Sequence, residues 1–403
     1  MPTLAPLITE RRLILQAQAD CPWANQMVLN PGVIRDPESG RLQMLFRATG
    51  NGQPRNAPAA ADWPFPIYLG YAYSDNYGHQ WNADFSKPAL SPNLSLAQDE
   101  LYIEDSRGRR SLNYANGCIE DPRLYWYEGK CHLIVACRVF PPGAYWEKDD
   151  PMQCAPAWAQ DTDHGLGRAV RENVTVNLLY EVDLQALERG QYDNAFRYIT
   201  HLTNPEFGEN RDVLLFPRKL LINGQPKIVA LHRPWESHHY PGHQQVTAPS
   251  IWYAMADSID QLKTPDAKHR LLASPTFAWE SNRIGASAPP LEVEPGLWLV
   301  SYHGKQDRDI GYTQSFMLLQ ETGNSLPTVA HRCSDRLMIP SEAWEQPGRF
   351  KTPCIFTTAL VPLEDDQLMI VYGAADEKIG AATTKLSSLV EHVRRYDPSG
   401  KCV

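Results

Sequence analysis

A chain of 403 residues with 43% hydrophobic and 21% charged residues can bury a sizeable core and has the charge content of an ordinary globular protein. Its formal net charge of −9 excludes nucleic acid and anionic membrane as partners, because both need a basic surface. Any anion it binds must be held by a local cluster of Arg, Lys and His.

The first thirty residues include RRLILQ but no apolar stretch of signal-peptide length, and no later run approaches the roughly 18 apolar residues of a membrane span. The cysteines Cys21, Cys118, Cys131, Cys137, Cys154, Cys333, Cys354 and Cys402 form no CxxC pair, which argues against a zinc ribbon or redox motif. Several lie in apolar runs such as LIVACRV, where a free thiol behaves as a small hydrophobe. The expected compartment is a reducing cytoplasm, in which the glycosylation-like triplets at Asn93 and Asn173 carry no meaning. The oligomeric state is open, a homo-oligomer included.

Along the chain, 33 prolines and 25 glycines are scattered throughout, and short apolar runs between turn residues replace long amphipathic helices. Five segments share a plan of strand, turn and apolar strand ending in an aromatic or basic residue. They are Asn30 to Ala48, Gly117 to Val139, Asn210 to Pro234, Arg283 to Gly304 and Phe350 to Ala374. Their closing positions near Arg47, Arg138, Arg233, His303 and Tyr372 lie roughly 70 to 95 residues apart, a spacing that suits four-stranded blades with insertions. The expectation is an all-β fold, a five-bladed β-propeller forming one domain over residues 1–403. SDNYGHQW, Ser74 to Trp81, has the spacing of an Asp-box turn or of an ordinary hairpin turn. KLSSLVEHVRRY, Lys385 to Tyr396, carries Leu386, Leu389, Val390 and Val393 on one helical face, and this short C-terminal helix is expected on the outside of the propeller.

The first strand of each blade lines a propeller's channel. The repeats therefore bring toward one pocket Asn30, Arg47, Glu120, Asp121, Arg123, Arg138, Arg211, Asp212, Lys219, His232, Arg233, Arg283, His303, Tyr372 and Asp376. Many cations and few acids suit a sugar together with an anion. His232, His238, His239 and His243 fall within twelve residues, the last three in a Pro- and Gly-rich insertion, PWESHHYPGHQQ, and this spacing does not suit a metal site.

GCIEDPRL resembles the GxEDPR motif of glycoside hydrolase family 130, the β-mannoside phosphorylases and related β-mannosidases. NPG with FRA, NRDVLLFPRKL with LHRP, WESNRIGASAPP with WLVSYHG, and YGAADEKIGAAT are similar to further family motifs in the same order. The resemblance implies an inverting reaction at a β-mannosyl bond, with Asp121 as general acid acting through a hydroxyl of the mannose. Phosphate attacks from the opposite face, giving α-mannose 1-phosphate, and no cofactor beyond this co-substrate is expected. Asn30, Arg47, Arg123, Asp212, Glu280, Tyr372 and Asp376 are the expected substrate contacts. Arg138, Arg211, Lys219, His232, Arg233 and His303 are the phosphate candidates, since guanidinium binds phosphate bidentately. Arg211 stands where the family often has Lys, and Arg218 where it has Glu.

Two other functions compete. A β-mannosidase on this fold would need a second carboxylate to activate water, with Glu280 the acid to watch. A non-catalytic sugar-binding propeller would have no need of Asp121 in an intact EDPR. The arabinanase and fructosidase type is excluded, because NPG occupies the place of its first-blade acid.

Overall fold

The structure is a computed structural model that describes residues 7–50, 67–92, 119–138, 174–235, 239–240, 245–306, 310–348 and 352–403, with the backbone alone of 102–104 and 110–112. Gly117, Cys118, Val139 and Phe350 of the repeat segments lie outside the described residues, as do Asn93, Cys154, Asn173, His238 and His243.

β1 (Glu10–Gln16) precedes the first blade, which is β2 (Met27–Arg35), β3 (Leu42–Thr49), β4 (Ile67–Ser74) and β5 (Asn82–Asp84). A small hairpin, β6 (Tyr102–Glu104) and β7 (Arg110–Leu112), leads to the second blade of β8 (Ile119–Tyr127), β9 (Lys130–Cys137), β10 (Val176–Val182) and β11 (Phe196–His201), with α1 (Leu184–Glu188) between the last two strands. The third holds β12 (Asn210–Leu215), β13 (Leu220–Ile222), β14 (Gln225–Pro234), β15 (Ile251–Ala256) and β16 (Lys268–Ala273). The fourth holds β17 (Arg283–Ala286), β18 (Leu291–Glu294), β19 (Leu297–Lys305), β20 (Tyr312–Gln320) and β21 (Thr328–Arg332). β22 (Ile355–Pro362), β23 (Gln367–Ala374) and β24 (Lys378–Lys385) form the fifth, and α2 (Leu386–Arg394) follows.

The fifth sheet takes its outer strand from the other end of the chain: β1 pairs antiparallel with β24, from Glu10 opposite Thr383 to Gln16 opposite Lys378. This pairing fastens the first blade to the last. The apolar core is correspondingly a ring of five clusters, each shared by two neighbouring blades. Leu45 meets Leu133 between the first and second, Leu179 meets Val213 between the second and third, and Leu231 meets Val300 between the third and fourth. Phe316 meets Ile370 between the fourth and fifth, and Met44 meets Met369 where the ring closes. Each blade buries both faces, which explains strands with long apolar runs in place of simple alternation.

The turn from Ser74 to Trp81 is closed by its own side chains. Asn76 Oδ1 accepts from Gln80 N at 2.9 Å, Gly78 takes φ 78, and Trp81 Nε1 donates to the Gly78 carbonyl at 3.1 Å. α2 buries Leu389, Val390 and Val393 in the cluster between the fourth and fifth blades. Cys21, Cys131, Cys137, Cys333 and Cys354 are buried free thiols.

Candidate functional site

The innermost strands share a local irregularity at equivalent places. The ladder register skips between Leu29 and Gly32 in β2, between Glu120 and Arg123 in β8, between Arg211 and Leu214 in β12 and between Thr357 and Ala359 in β22. These are β-bulges, which re-aim a side chain out of the pleat. In the first three blades the bulged residue lies in the left-handed region: Asn30 at φ 42, Asp121 at φ 49 and Asp212 at φ 55. Asn and Asp tolerate this region best among residues with a Cβ. Pro31 and Pro122 follow the first two, where the interrupted ladder needs no donor.

Asp121 is the centre of the site. Asn30 Nδ2 donates to its Oδ1 at 2.8 Å and Arg47 Nη1 to the same oxygen at 3.1 Å. Gly373 makes room for this arrangement, because a Cβ there would meet Asn30 Oδ1 at 1.9 Å. Arg123 lies beneath the channel wall, donating from Nη1 to the Asp121 carbonyl at 2.8 Å and from Nε to the Ser287 carbonyl at 2.6 Å. It holds the bulge in place and tethers it to the fourth blade.

Asp376 enters from the β23–β24 hairpin, where Ala375 and Asp376 both take positive φ. Burial raises its proton affinity above the usual carboxylate range; the Arg47 charge opposes this and the Asp121 charge adds to it. Asp121, Asp376 and Arg47 therefore share one electrostatic environment.

Beside them is a network of acids and guanidiniums. Glu120 is met by Arg211 at 3.2 Å, Arg47 at 3.6 Å and Arg138 at 3.9 Å. Glu209 accepts from Arg211 Nε at 2.8 Å, from Thr175 N at 2.6 Å and from the Thr175 hydroxyl at 2.8 Å. Burial would raise the proton affinity of Glu209, but Arg211, Arg138 and the Thr175 amide outweigh it and hold the carboxyl below its ordinary range. These cations are thus balanced within the protein and do not form a bare positive cluster.

Asp212 sits behind this network. Arg233 Nε donates to its Oδ2 at 2.5 Å and His303 Nε2 approaches the same oxygen to 3.4 Å. Burial opposes ionisation, but Arg233 and then His303 overcome it, and the carboxyl titrates far below its usual range. Burial keeps the proton affinity of His303 below its ordinary value despite Asp212. Gln314 Nε2 donates to the Ile355 carbonyl at 2.7 Å, so Gln314 Oε1 accepts the Ser287 hydroxyl at 2.9 Å. Ser287 Oγ then accepts from His303 Nδ1–H at 3.1 Å, which fixes the ring with Nε2 toward Asp212. Gly285 packs on this pair; a Cβ there would meet Asp212 Oδ2 at 2.2 Å.

The structure brings together Asn30, Arg47, Asp121, Arg123, Arg138, Arg211, Asp212, Arg233, His303 and Asp376. Four expected residues lie elsewhere. Lys219 is exposed and pairs with Glu128 at 3.4 Å. His232 alternates with Arg233 along β14, so it points to the opposite face, where Asn210 Nδ2 meets its Nδ1 at 2.9 Å and His269 its Nε2 at 3.3 Å. Glu280 is fully buried, accepting from Arg332 Nη2 at 2.8 Å and from the amides of Thr276 and Phe277. Tyr372 is fully buried and donates to Glu345 at 2.6 Å. Both belong to a structural device used twice, an Ala-Trp-Glu turn whose Glu binds an Arg and whose Trp stacks on a Tyr. Trp279 lies over Tyr302 with ring centres 5.7 Å apart, and Trp344 over Tyr372 at 6.1 Å.

Glu209, Gln314 and Tyr312 belong to the site surroundings and carry no motif, whereas Ser287 lies within WESNRIGASAPP as a residue that sequence reasoning did not single out. Arg283 does belong to a repeat segment; it stacks on Trp235 with its Cζ 4.7 Å from the ring centre and feels the same field as Arg233 and Tyr312.

A carboxyl presented on a bulge at a propeller's axis, among balanced guanidiniums and beside a second acid, defines a propeller enzyme that acts on glycosides. Residues 170–395 match the model of glycoside hydrolase family 130, described as beta-1,4-mannooligosaccharide phosphorylase, and the chain belongs to this family. It is 31% identical over 361 residues to the beta-1,2-mannobiose phosphorylase of a Thermoanaerobacter species, covering 89% of this chain and 90% of that protein. It is also 31% identical over 191 residues to the beta-1,4-mannooligosaccharide phosphorylase of Ruminococcus albus, an alignment that spans 46% of this chain and about half of that protein, 51%. Among solved structures, the beta-1,2-mannobiose phosphorylase of Listeria innocua in complex with beta-1,2-mannobiose superposes with a TM-score of 0.58 at 20% identity, over 97% of this chain and 95% of that one. This likeness concerns the fold.

Proposed function

We propose that the chain cleaves β-mannosidic bonds of mannooligosaccharides by phosphorolysis, an inverting glycosyl transfer to inorganic phosphate that yields α-mannose 1-phosphate. The observation that carries the reading is the Asp121 carboxyl, held in one orientation by Asn30 at 2.8 Å and Arg47 at 3.1 Å. It stands at the position of the family's general acid. Asp121 supplies the proton that the leaving sugar oxygen takes up as its bond to the anomeric carbon breaks, relayed through a mannose hydroxyl. A phosphate oxygen forms the new bond from the other face. Asp376 accepts a mannose hydroxyl, and Arg47, Arg138 and Arg211 offer fork-like donors to the phosphate.

Water as nucleophile would need a carboxylate base whose proton affinity matches the working pH. Glu209 and Asp212 are held below the usual carboxylate range by their cations, and Glu120 lies among three guanidiniums. Glu280, the acid a hydrolase was expected to use, is locked to Arg332. Phosphate needs no such base, and the named relatives are phosphorylases of β-1,2- and β-1,4-linked mannosides. The test is incubation with β-1,2- and β-1,4-mannobiose, with and without phosphate. The expected product is one mannose 1-phosphate per bond cleaved, strictly dependent on phosphate; free mannose released equally fast without phosphate would establish hydrolysis.

A further inference from the structure

On the outside of the fourth blade, the segment after β21 turns back toward α2. Cys333, Asp335 and His392 each offer one ligand atom there, and the three atoms lie within 4.8 Å of one another. We propose that these residues bind a zinc ion that clips the C-terminal helix to the fourth blade.

The donor chemistry selects the metal. A thiolate, an imidazole and a carboxylate in one tetrahedral site suit zinc, whereas calcium and magnesium require oxygen donors. His392 Nε2 is buried and makes no hydrogen bond, an arrangement that costs free energy unless something fills it. Asp335 Oδ2, at 4.0 Å, is too distant to be that partner. Of the nearby cations, Arg394 pairs with Glu294 and Arg395 with Glu391.

The surroundings orient the donors as an outer shell does. Tyr396 donates its hydroxyl to Asp335 Oδ2 at 2.5 Å, fixing the carboxylate. Ser315 Oγ donates to the Asp335 carbonyl at 2.7 Å and lies 3.1 Å from the Cys333 carbonyl, to which Tyr302 donates at 3.2 Å. The loop is thus held independently of the ion. Three protein ligands leave a fourth position for water.

The test uses untagged full-length protein, equilibrated with Zn2+ and assayed for bound metal, with a chelator competition to give the dissociation constant. Wild type should hold one zinc per chain and gain melting temperature with zinc. His392→Gln, at a partly exposed position, and Asp335→Asn, at an exposed one, should each weaken binding by at least about tenfold and abolish the zinc-dependent gain. Cys402→Ser, which removes the exposed thiol, should change neither. With Co2+ as probe, a thiolate charge-transfer band should appear in wild type and vanish in Cys333→Ser. Binding below one equivalent in wild type, or unchanged binding in His392→Gln, would overturn the proposal.

Discussion

Asp121 and Asp212 occupy the same bulge in consecutive blades, with nearly the same left-handed backbone, yet their surroundings differ in kind. The Asp121 side chain is 18% exposed and is bound through one oxygen, Oδ1, by Asn30 and Arg47. The Asp212 side chain is 5% exposed and is clamped between Arg233 and His303. The repeated backbone supplies the aim, and the neighbours decide whether the acid can exchange a proton with a ligand or only anchor cations. A proton donor needs the first environment, and a structural counter-ion the second.

The largest effect expected from breaking this comparison is on turnover. Asp121→Asn keeps both bulge and hydrogen-bonding shape, and should lower kcat on a mannobiose by about 10²–10⁴ with little change in melting temperature. Asp212→Asn should do the converse in stability, costing about 3–5 kcal/mol in chemical denaturation because Arg233 is left buried without its charge partner.

The acid limb of stability follows from the same clamp. The folded-state titration of Asp212 lies well below its unfolded value, so the unfolded chain binds more protons in between. The Asp212 contribution is complete above about pH 4 and is lost as pH falls below that. Glu209 acts in the same sense. Denaturation midpoints measured from pH 6 downward should fall steeply in wild type and more gently in Asp212→Asn.

Asp376 has the opposite sign. Its folded-state value is raised, so its contribution to stability declines as pH rises through that value, and at pH 7 its buried charge beside Asp121 is a cost. Asp376→Asn should therefore raise the melting temperature at pH 7 while lowering kcat/KM. The smallest effect is expected at Tyr372→Phe, which removes the hydrogen bond to Glu345 in the second Ala-Trp-Glu turn. It should cost about 1 kcal/mol in denaturation and leave kcat unchanged.

The blades were legible because each inner hairpin repeats an apolar pattern with a turn, and Asp121 because EDPR is a motif. The outer-strand pairing of β1 with β24 was not legible, since it joins segments more than 360 residues apart that share no pattern. Basic residues at strand ends identified Arg47, Arg138, Arg211 and Arg233, but periodicity does not say which face of a strand a residue takes. His232 shows this, one position from Arg233 and turned to the other side of β14. Glu280 resembled a catalytic acid by type alone; its 2.7–3.1 Å bonds to Thr276, Phe277 and Arg332 reveal a turn cap. Arg218, standing where the family has Glu, binds Glu292 and Glu321 and packs over Trp298, away from the channel.

The central claim is that Asp121 acts as the proton donor to the leaving sugar, and leaving-group dependence tests it most directly. Phosphorolysis of a mannobiose and of 2,4-dinitrophenyl β-mannoside, whose leaving group departs without a proton, should be measured for wild type and Asp121→Asn. The expected result is a loss of about 10²–10⁴ on the mannobiose and less than about tenfold on the activated mannoside. An equal loss on both substrates would contradict the assignment.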